Sequence, residues 1–424
     1  MGDSKKQTPL YTWHMSHGAK MGNFGGYEMP LWYDAGPKEE HLAVIHQAGI
    51  FDTSHMAAIS VKGPQANDLL QRCFSKDLAS CLGPRKTPLS AGRCVYGLFL
   101  NQKGGVIDDA LVYLNDPCVY TIIVNAGMGQ AVSSHLEAHR QGEDVEILDL
   151  TDKTGKIDVQ GPMAARIVST LIQDPDLVFE KMPYFSFKGD FNGETVAAGE
   201  VRLTDGTPIL LSRTGYTGEF GFEIFLKAEH TVSLWEQLIE AGTSHGVLPC
   251  GLASRDSLRA GAALPLSHQD IGEWPFVGNP WPFALPFNEG GTGFTKEFLG
   301  AEALAELKEY QFTHPFAGFD PRKVMPGEDV IVLDETLESI GTVLTCATDM
   351  AIDRHEGKIY SVASEDKPAD MKFRGLCCGF IKTTCQLTPG QIVFLQAGKR
   401  KLKVEIVADI RPGRTARRAL SKMI

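Results

Sequence analysis

No stretch of the 424 residues approaches the roughly 18 uninterrupted apolar residues that a bilayer-crossing helix needs. The opening residues MGDSKKQTPLYTWH lack the apolar core of a signal peptide, and Lys6 stands where an N-myristoylation signal at Gly2 would want Ser or Thr. These absences argue for a cytoplasmic protein with no membrane partner. Excess positive charge is also missing. Lys and Arg number 41 against 52 Asp and Glu, a net charge of -11, which argues against nucleic acid as a partner. The nine cysteines are odd in number, irregularly spaced and without a CxxC pair, so neither a disulfide framework nor a zinc site is expected. There is no Walker A sequence, no GxGxxG between a strand and a helix, no GxSxG elbow and no HExxH, which excludes the usual nucleotide, flavin, hydrolase and metalloprotease sites. His135 and His139 lie four apart on a predicted helix, but no further ligand completes a metal site, and they read as two exposed residues of an amphipathic helix.

What is present is a mixed chain. Helical spacing predicts helices over Glu40–Gly49, Pro64–Leu78, Met128–Ala138, Pro162–Leu171, Thr231–Ala241, Ala253–Ala262 and Ala301–Tyr310. Strand-like runs fall between them, at Val106–Leu114, Tyr120–Asn125, Val145–Leu150, Lys156–Gln160, Glu194–Leu203, Pro208–Ser212 and Phe220–Leu226. After about Thr313 only short strands remain, punctuated by Gly and Pro, as in a small β-barrel or sandwich. Gly272–Gly293 reads as a linker packed on the body, and residues 348–372 as an exposed excursion.

Three segments carry candidate chemistry. Gly104-Gly105-Val106-Ile107-Asp108-Asp109 implies a tight turn entering a half-buried strand. Neighbouring strand residues point to opposite faces, so Asp108 and Asp109 are not expected to form a dyad. Asp109 shares its face with Ile107, Leu111 and Tyr113, where a carboxylate is unfavourable unless paired or used; the alternative is that both acids finish a turn. Ser212–Glu219 offers glycines at 215 and 218 for close backbone approach and Tyr216 as a stacking face with a polar tip. Glu223 comes next on a strand, facing away from Phe222 and Ile224. It is either an exposed acid or an acceptor of paired N–H donors from a guanidinium or an aminopyrimidine edge. In Gly251–Arg259, Arg255 either meets an anionic ligand group or pairs with Asp256 or another surface acid.

Taken together and in order along the chain, these segments resemble the glycine cleavage T-protein family. Phe24-Gly25-Gly26-Tyr27-Glu28-Met29-Pro30-Leu31 is similar to that family's opening, and Phe51-Asp52-Thr53-Ser54-His55-Met56 to its FDVSHM signature. Val124-Asn125-Ala126, Gln160-Gly161-Pro162, Tyr184-Phe185-Ser186-Phe187 and Pro249-Cys250-Gly251-Leu252 also fall in place. The likeness is dense over residues 8–266 and thin beyond. It implies an α+β, three-domain cloverleaf around a central tetrahydrofolate cavity: residues 1–54 and 152–285 as a folate-binding domain, 55–151 as an inserted domain carrying Asp109, and 313–424 as a C-terminal β-barrel. It further implies Asp109 as the essential acid, Glu223 as the residue that recognises the pterin, Tyr96, Asn125, Tyr184 and Tyr216 as cavity lining, Arg255 at the mouth, and no metal.

Several stretches depart from the family's pattern. Its Glu-Ala-Gly run and Tyr-Gly pair are replaced by Arg259-Ala260-Gly261-Ala262-Ala263 and Leu266-Ser267-His268, a later Glu-Ala-Gly-Leu by Asn279–Leu285, and its second asparagine by Met128. The implied activity is aminomethyl transfer from the lipoyl carrier H-protein to tetrahydrofolate with release of ammonia. The alternative keeps the folate site and takes the carbon from a small methylated amine, sulfonium or aryl ether. A non-catalytic folate-binding regulator is a third reading, against which an intact Asp109 argues. Arg411, Arg414, Arg417, Arg418 and Lys422 give the acidic chain a basic end, read either as a solvated tail or as a dock for an acidic carrier or folate's glutamate tail.

Overall fold

The computed structural model describes residues 5–194, 196–327 and 330–424; Gly2 lies outside them. Three β assemblies organise the chain. A five-stranded antiparallel sheet runs in the order Arg93–Leu100, Val106–Asp116, Val119–Val124, Ala57–Lys62 and Glu146–Asp149. Its apolar alternation buries Ile59, Val112, Ile122 and Val124 against Leu69 and Leu70 of the helix Ala66–Cys73 and Val132 and Leu136 of the helix Gly129–Ala138.

A six-stranded sheet has the order Phe187–Lys188, Leu210–Ser212, Gly221–Lys227, Thr154–Gln160, Gly49–Asp52 and Leu248–Cys250. Ile157, Val159, Phe222, Ile224 and Leu226 bury one face against Leu234, Trp235 and Leu238 of the helix Thr231–Gly242. The opposite face of its two central strands therefore carries the intervening residues Lys156, Asp158 and Glu223, all buried.

The third assembly is a closed six-stranded barrel in the order Phe312–Gly318, Leu376–Thr383, Ser339–Asp349, Val330–Leu333, Ile392–Ala397 and Arg400–Ile406. Phe316, Val332, Val343, Ile381, Leu395 and Val404 fill it. Closure pairs Phe316 with Ile406, so neither terminal strand is left as an edge.

The helix Leu252–Gly261 ties the barrel to the six-stranded sheet. Arg259, fully buried, is bonded to Asp270 and donates from its other nitrogens to Asp256 (2.9 Å) and Thr345 (2.9 Å). At the helix end Gly261 comes so close to Asp349 that an added Cβ would lie 1.7 Å from its carboxylate. Asp349 meets Arg411 at 2.6 Å and His41 at 3.1 Å, and Arg411 reaches Glu219 at 3.2 Å. The basic C-terminal end is divided: Arg411 is 1% exposed and Leu420 and Met423 pack into the core, while Arg417, Arg418 and Lys422 are exposed.

Several expectations are corrected. Glu194–Leu203 makes only isolated bridges among its described residues, because the left-handed Gly199 breaks the run. The helix expected to Tyr310 ends at Glu306. The excursion at 348–372 is half packed, with Ile352, Asp353, Ser361 and Ser364 buried around the hairpin Ile352–His355 and Lys358–Ser361. Gly272–Gly293 does pack on the body, burying Phe276, Trp281 and Leu285 beside Leu98, Leu100 and Phe380.

Although burial opposes it, the Arg411 guanidinium and His41 hold Asp349 well below the ordinary carboxylate range. A depressed carboxylate stabilises the fold above its unfolded value, and that contribution is lost as the pH falls below about 4. Arg411→Met leaves the buried Asp349 with His41 as its one remaining charged neighbour, and denaturant unfolding at pH 7 should register a loss of about 3–5 kcal/mol.

Candidate active site

A cavity of ≈ 830 Å³ opens where the two sheets meet the helix Leu252–Gly261. That volume lies within the roughly 300–1,000 Å³ of small-molecule sites. All seven residues singled out in the sequence line it: Asp109, Tyr96, Asn125, Tyr184, Tyr216, Glu223 and Arg255.

The five-stranded sheet delivers the acids. Phe99 pairs with Asp108 while Leu100 pairs with Val106, which leaves Ile107 as the extra residue of a β-bulge. Such a bulge re-aims the side chains next to it. Here the bulge turns Ile107 to the face of Val112, away from Leu111 and Tyr113, while Asp108 and Asp109 form no direct dyad and are joined only through a shared amide. Asn125 Nδ2, just past the end of the adjacent strand, donates to Asp108 Oδ1 at 2.8 Å and to Asp109 Oδ1 at 2.6 Å. The Asn125 backbone N–H donates to Asp108 Oδ2 at 2.8 Å, Ser267 Oγ donates to Asp108 Oδ1 at 2.7 Å, and Tyr96 donates its hydroxyl to Asp109 Oδ2 at 2.9 Å. Asp108 is fully buried; Asp109 is half-buried on the cavity wall. Burial, reinforced by the Asp108 charge, pushes Asp109 up to about 7, against the pull of the Tyr96 and Asn125 bonds. Asp109 can thus gain or lose a proton near neutrality.

The six-stranded sheet supplies the other end. Asp158 and Glu223 stand directly opposite each other on antiparallel strands, a like-charge pairing that destabilises a sheet by itself. Lys156, two residues along on the same face, resolves it: its ammonium bonds both Glu223 Oε1 and Asp158 Oδ1, and reaches Thr53 Oγ1 at 3.1 Å. Thr214 Oγ1 donates to Glu223 Oε2. Despite burial, Lys156 and Arg255 hold Asp158 down at about 2.

Arg255 is neither an unpaired anion receptor nor a partner of Asp256. It donates to Asp158 Oδ2 at 2.8 Å and lies 5.0 Å over the Tyr216 ring, covering one face, while the Tyr216 hydroxyl donates to the Pro265 carbonyl. The stacking face read from the sequence is thus partly occupied from within. Tyr184, pushed up to about 12 by burial, sits beneath the Arg417 guanidinium, 5.8 Å from the ring centre. Glu223 is buried, not an exposed strand acid.

Sequence reasoning missed Lys156, Asp158, Thr214 and His55. The first two were visible as charges alternating with Ile157 and Val159, the same signal that singled out Glu223. His55 packs in the cavity wall against Phe24 and Tyr27; burial pushes it down to about 4, and its Nδ1 has no bonding partner. His135 is not exposed as expected but packs on Phe99, and among the described residues no group of three His, Cys, Asp or Glu could hold a metal ion. No described helix is long and apolar enough to cross a membrane.

Residues 10–274 match the family described as the GCVT N-terminal domain. The chain is 39% identical to the aminomethyltransferase of Symbiobacterium thermophilum over 329 residues, covering 76% of this chain and 80% of that one. It is 35% identical to the aminomethyltransferase of a Geobacillus species, covering 74% and 79%. Among solved structures it superposes on glycine cleavage system aminomethyltransferase T from Bartonella henselae with a TM-score of 0.76 and 26% identity, covering 98% of this chain and 99% of that one. With the family's domain matched over more than half the chain and the fold shared end to end, this chain belongs to the glycine cleavage T-protein family.

Proposed function

We propose that the chain is an aminomethyltransferase, passing the methylene carbon of an aminomethyl group on a lipoyl carrier, the H-protein, to tetrahydrofolate with release of ammonia. The observation that supports this most is one cavity holding a neutral-range acid at one end and a buried, cation-balanced carboxylate at the other, Asp109 and Glu223. The chain's residues fit a pterin there. Each Glu223 oxygen takes one donor from the protein, from Lys156 or Thr214, and a carboxylate with about four acceptor positions keeps room for N–H groups of a ligand. Tyr184 and Tyr216 line the apolar walls beside it.

Tetrahydrofolate, when bound, supplies the nitrogen nucleophiles that accept the carbon. The protein's part is to orient and to manage charge. Glu223 accepts from the donor edge of the ring, and the aromatic walls exclude water. Asp109, ionised, stabilises positive charge developing on the transferred carbon or takes up the proton released there, with Tyr96 and Asn125 fixing its two oxygens. Among the lining residues, Arg417 is an exposed cation suited to an acidic carrier. Nine free thiols suit a reducing, cytoplasmic setting.

A product assay tests the reading: the enzyme with tetrahydrofolate, given either aminomethylated H-protein or a panel of methylated small molecules. Ammonia and methylenetetrahydrofolate from the first arm alone are expected. Carbon transfer from a small molecule alone would replace this function with folate-dependent demethylation.

Asp109→Asn should lower turnover by about 100-fold or more while reduced-folate binding stays within a few fold. The wild-type kcat/KM should climb through about pH 7, where Asp109 ionises. The sign for stability is opposite. A carboxylate raised on folding stabilises at low pH, and that contribution fades as the pH climbs from about 4 to about 7. Asp109→Asn should therefore unfold later than wild type at pH 8, by about 1–3 kcal/mol in denaturant melts. Glu223→Gln removes a charged acceptor, and calorimetry should find reduced folate bound about 10–100-fold more weakly.

A further inference from the structure

His268 is one of the few non-glycine residues held in the left-handed region, at φ 63°. It sits where the family's pattern carries its Tyr-Gly pair, and histidine is among the side chains that tolerate this conformation. The turn around it is fixed from both sides. Asp270 accepts the Leu266 backbone N–H at 3.0 Å and is itself held by Arg259 and by Thr345 Oγ1 at 2.7 Å. Gln269 donates to the Leu344 carbonyl at 3.0 Å and to Thr345 Oγ1 at 2.7 Å. A conformation so over-determined places the intervening side chains closely.

Those side chains meet the acid pair. Ser267 donates to Asp108 Oδ1, and His268 Nε2 lies 3.6 Å from the same oxygen. The imidazole side chain remains 44% exposed, whereas Asp108 is fully buried. A titratable group in contact with solvent is thus linked through Asp108 and the shared Asn125 amide to the carboxylate that faces the cavity.

We propose that His268 is a positioning residue for the acid pair: its imidazolium balances the buried Asp108 charge, so that Asp109 can stay ionised toward the cavity. The charged groups facing His268 are Asp108, Asp109 and Glu273, all acidic. Attraction to Asp108, against partial burial, holds its imidazole above the ordinary value. When the imidazolium loses its proton to solvent, repulsion between the two adjacent carboxylates is no longer offset, and Asp109 binds a proton more readily. The inference rests on the function proposed above for the reaction it assists, but not for the titration itself.

Two measurements separate those dependences. The first needs neither folate nor carrier: imidazole resonances of the full-length protein are tracked by NMR across pH 5–9, with His268 identified by its loss in His268→Asn. Its midpoint should lie above that of a free histidine and fall in Asp108→Asn. A midpoint at the ordinary value, or one unmoved by removal of the Asp108 charge, overturns the proposal whatever the enzyme's substrate is. The second is the pH profile of kcat/KM for His268→Gly and His268→Asn. Glycine and asparagine both accept the left-handed backbone, so thermal melting should stay near wild type at pH 8.5, with a loss confined to lower pH where the imidazolium is charged. The acidic limb should move upward by about 0.5–1 pH unit in both variants, lowering turnover about 3–10-fold below pH 7 and little above pH 8.5. Limbs that superpose on the wild type overturn the proposal; a purely structural role would change melting without moving the limb.

Discussion

One amide nitrogen, Asn125 Nδ2, joins two neighbouring carboxylates, and the cavity's chemistry depends on that contact. Adjacent strand residues diverge, and the register is regular from Asp108 to Ala110, so the two acids meet only through Asn125, which reaches both from past the end of the neighbouring strand. Once joined, the Asp108 charge strengthens the hold of Asp109 on a proton, and the surrounding donors are divided unequally between the two. Asp108 takes the backbone N–H, the amide and the Ser267 hydroxyl; Asp109 takes the amide and a tyrosine hydroxyl, and faces the hollow. The asymmetry leaves Asp109 as the acid that faces the cavity and can change its charge.

The opposite end of the cavity solves a different electrostatic problem. Asp158 and Glu223 confront each other across the sheet, and Lys156 and Arg255 supply two cations to these two anions. Removing one member leaves a buried charge without a partner, which is far more unfavourable than the net gain of forming the pair. Glu223 is therefore a positioned acceptor whose charge is already balanced, whereas the charge on Asp109 is not. A ligand spanning the hollow meets a settled carboxylate at one end and a proton-binding one at the other.

The helix Leu252–Gly261 links this site to the barrel. Arg255 enters the cavity network, Arg259 anchors the Leu266–Asp270 turn through Asp270, and Gly261 admits the Asp349 carboxylate. Because the turn rests on the barrel residue Thr345, the barrel reaches the acid pair through Arg259 and Asp270, while the Arg411–Asp349 pair fastens the helix end.

By itself the sequence singled out seven residues that line one cavity. Alternation put Glu223 on the face opposite Phe222 and Ile224, glycines marked the turn before Asp108, and motif order tied Tyr96, Asn125, Tyr184, Tyr216 and Arg255 to one family. Such signals are local, and local spacing fixes which face a side chain takes. It could not determine partners. That Asp108 and Asp109 share an amide, that Arg255 answers Asp158 and not Asp256, and that Arg411 is buried against Asp349 all join residues from 16 to 97 positions apart. Those pairings were decided only in the tertiary structure, because a buried charge must be neutralised by whatever the packed elements bring within reach, and no periodicity encodes that meeting.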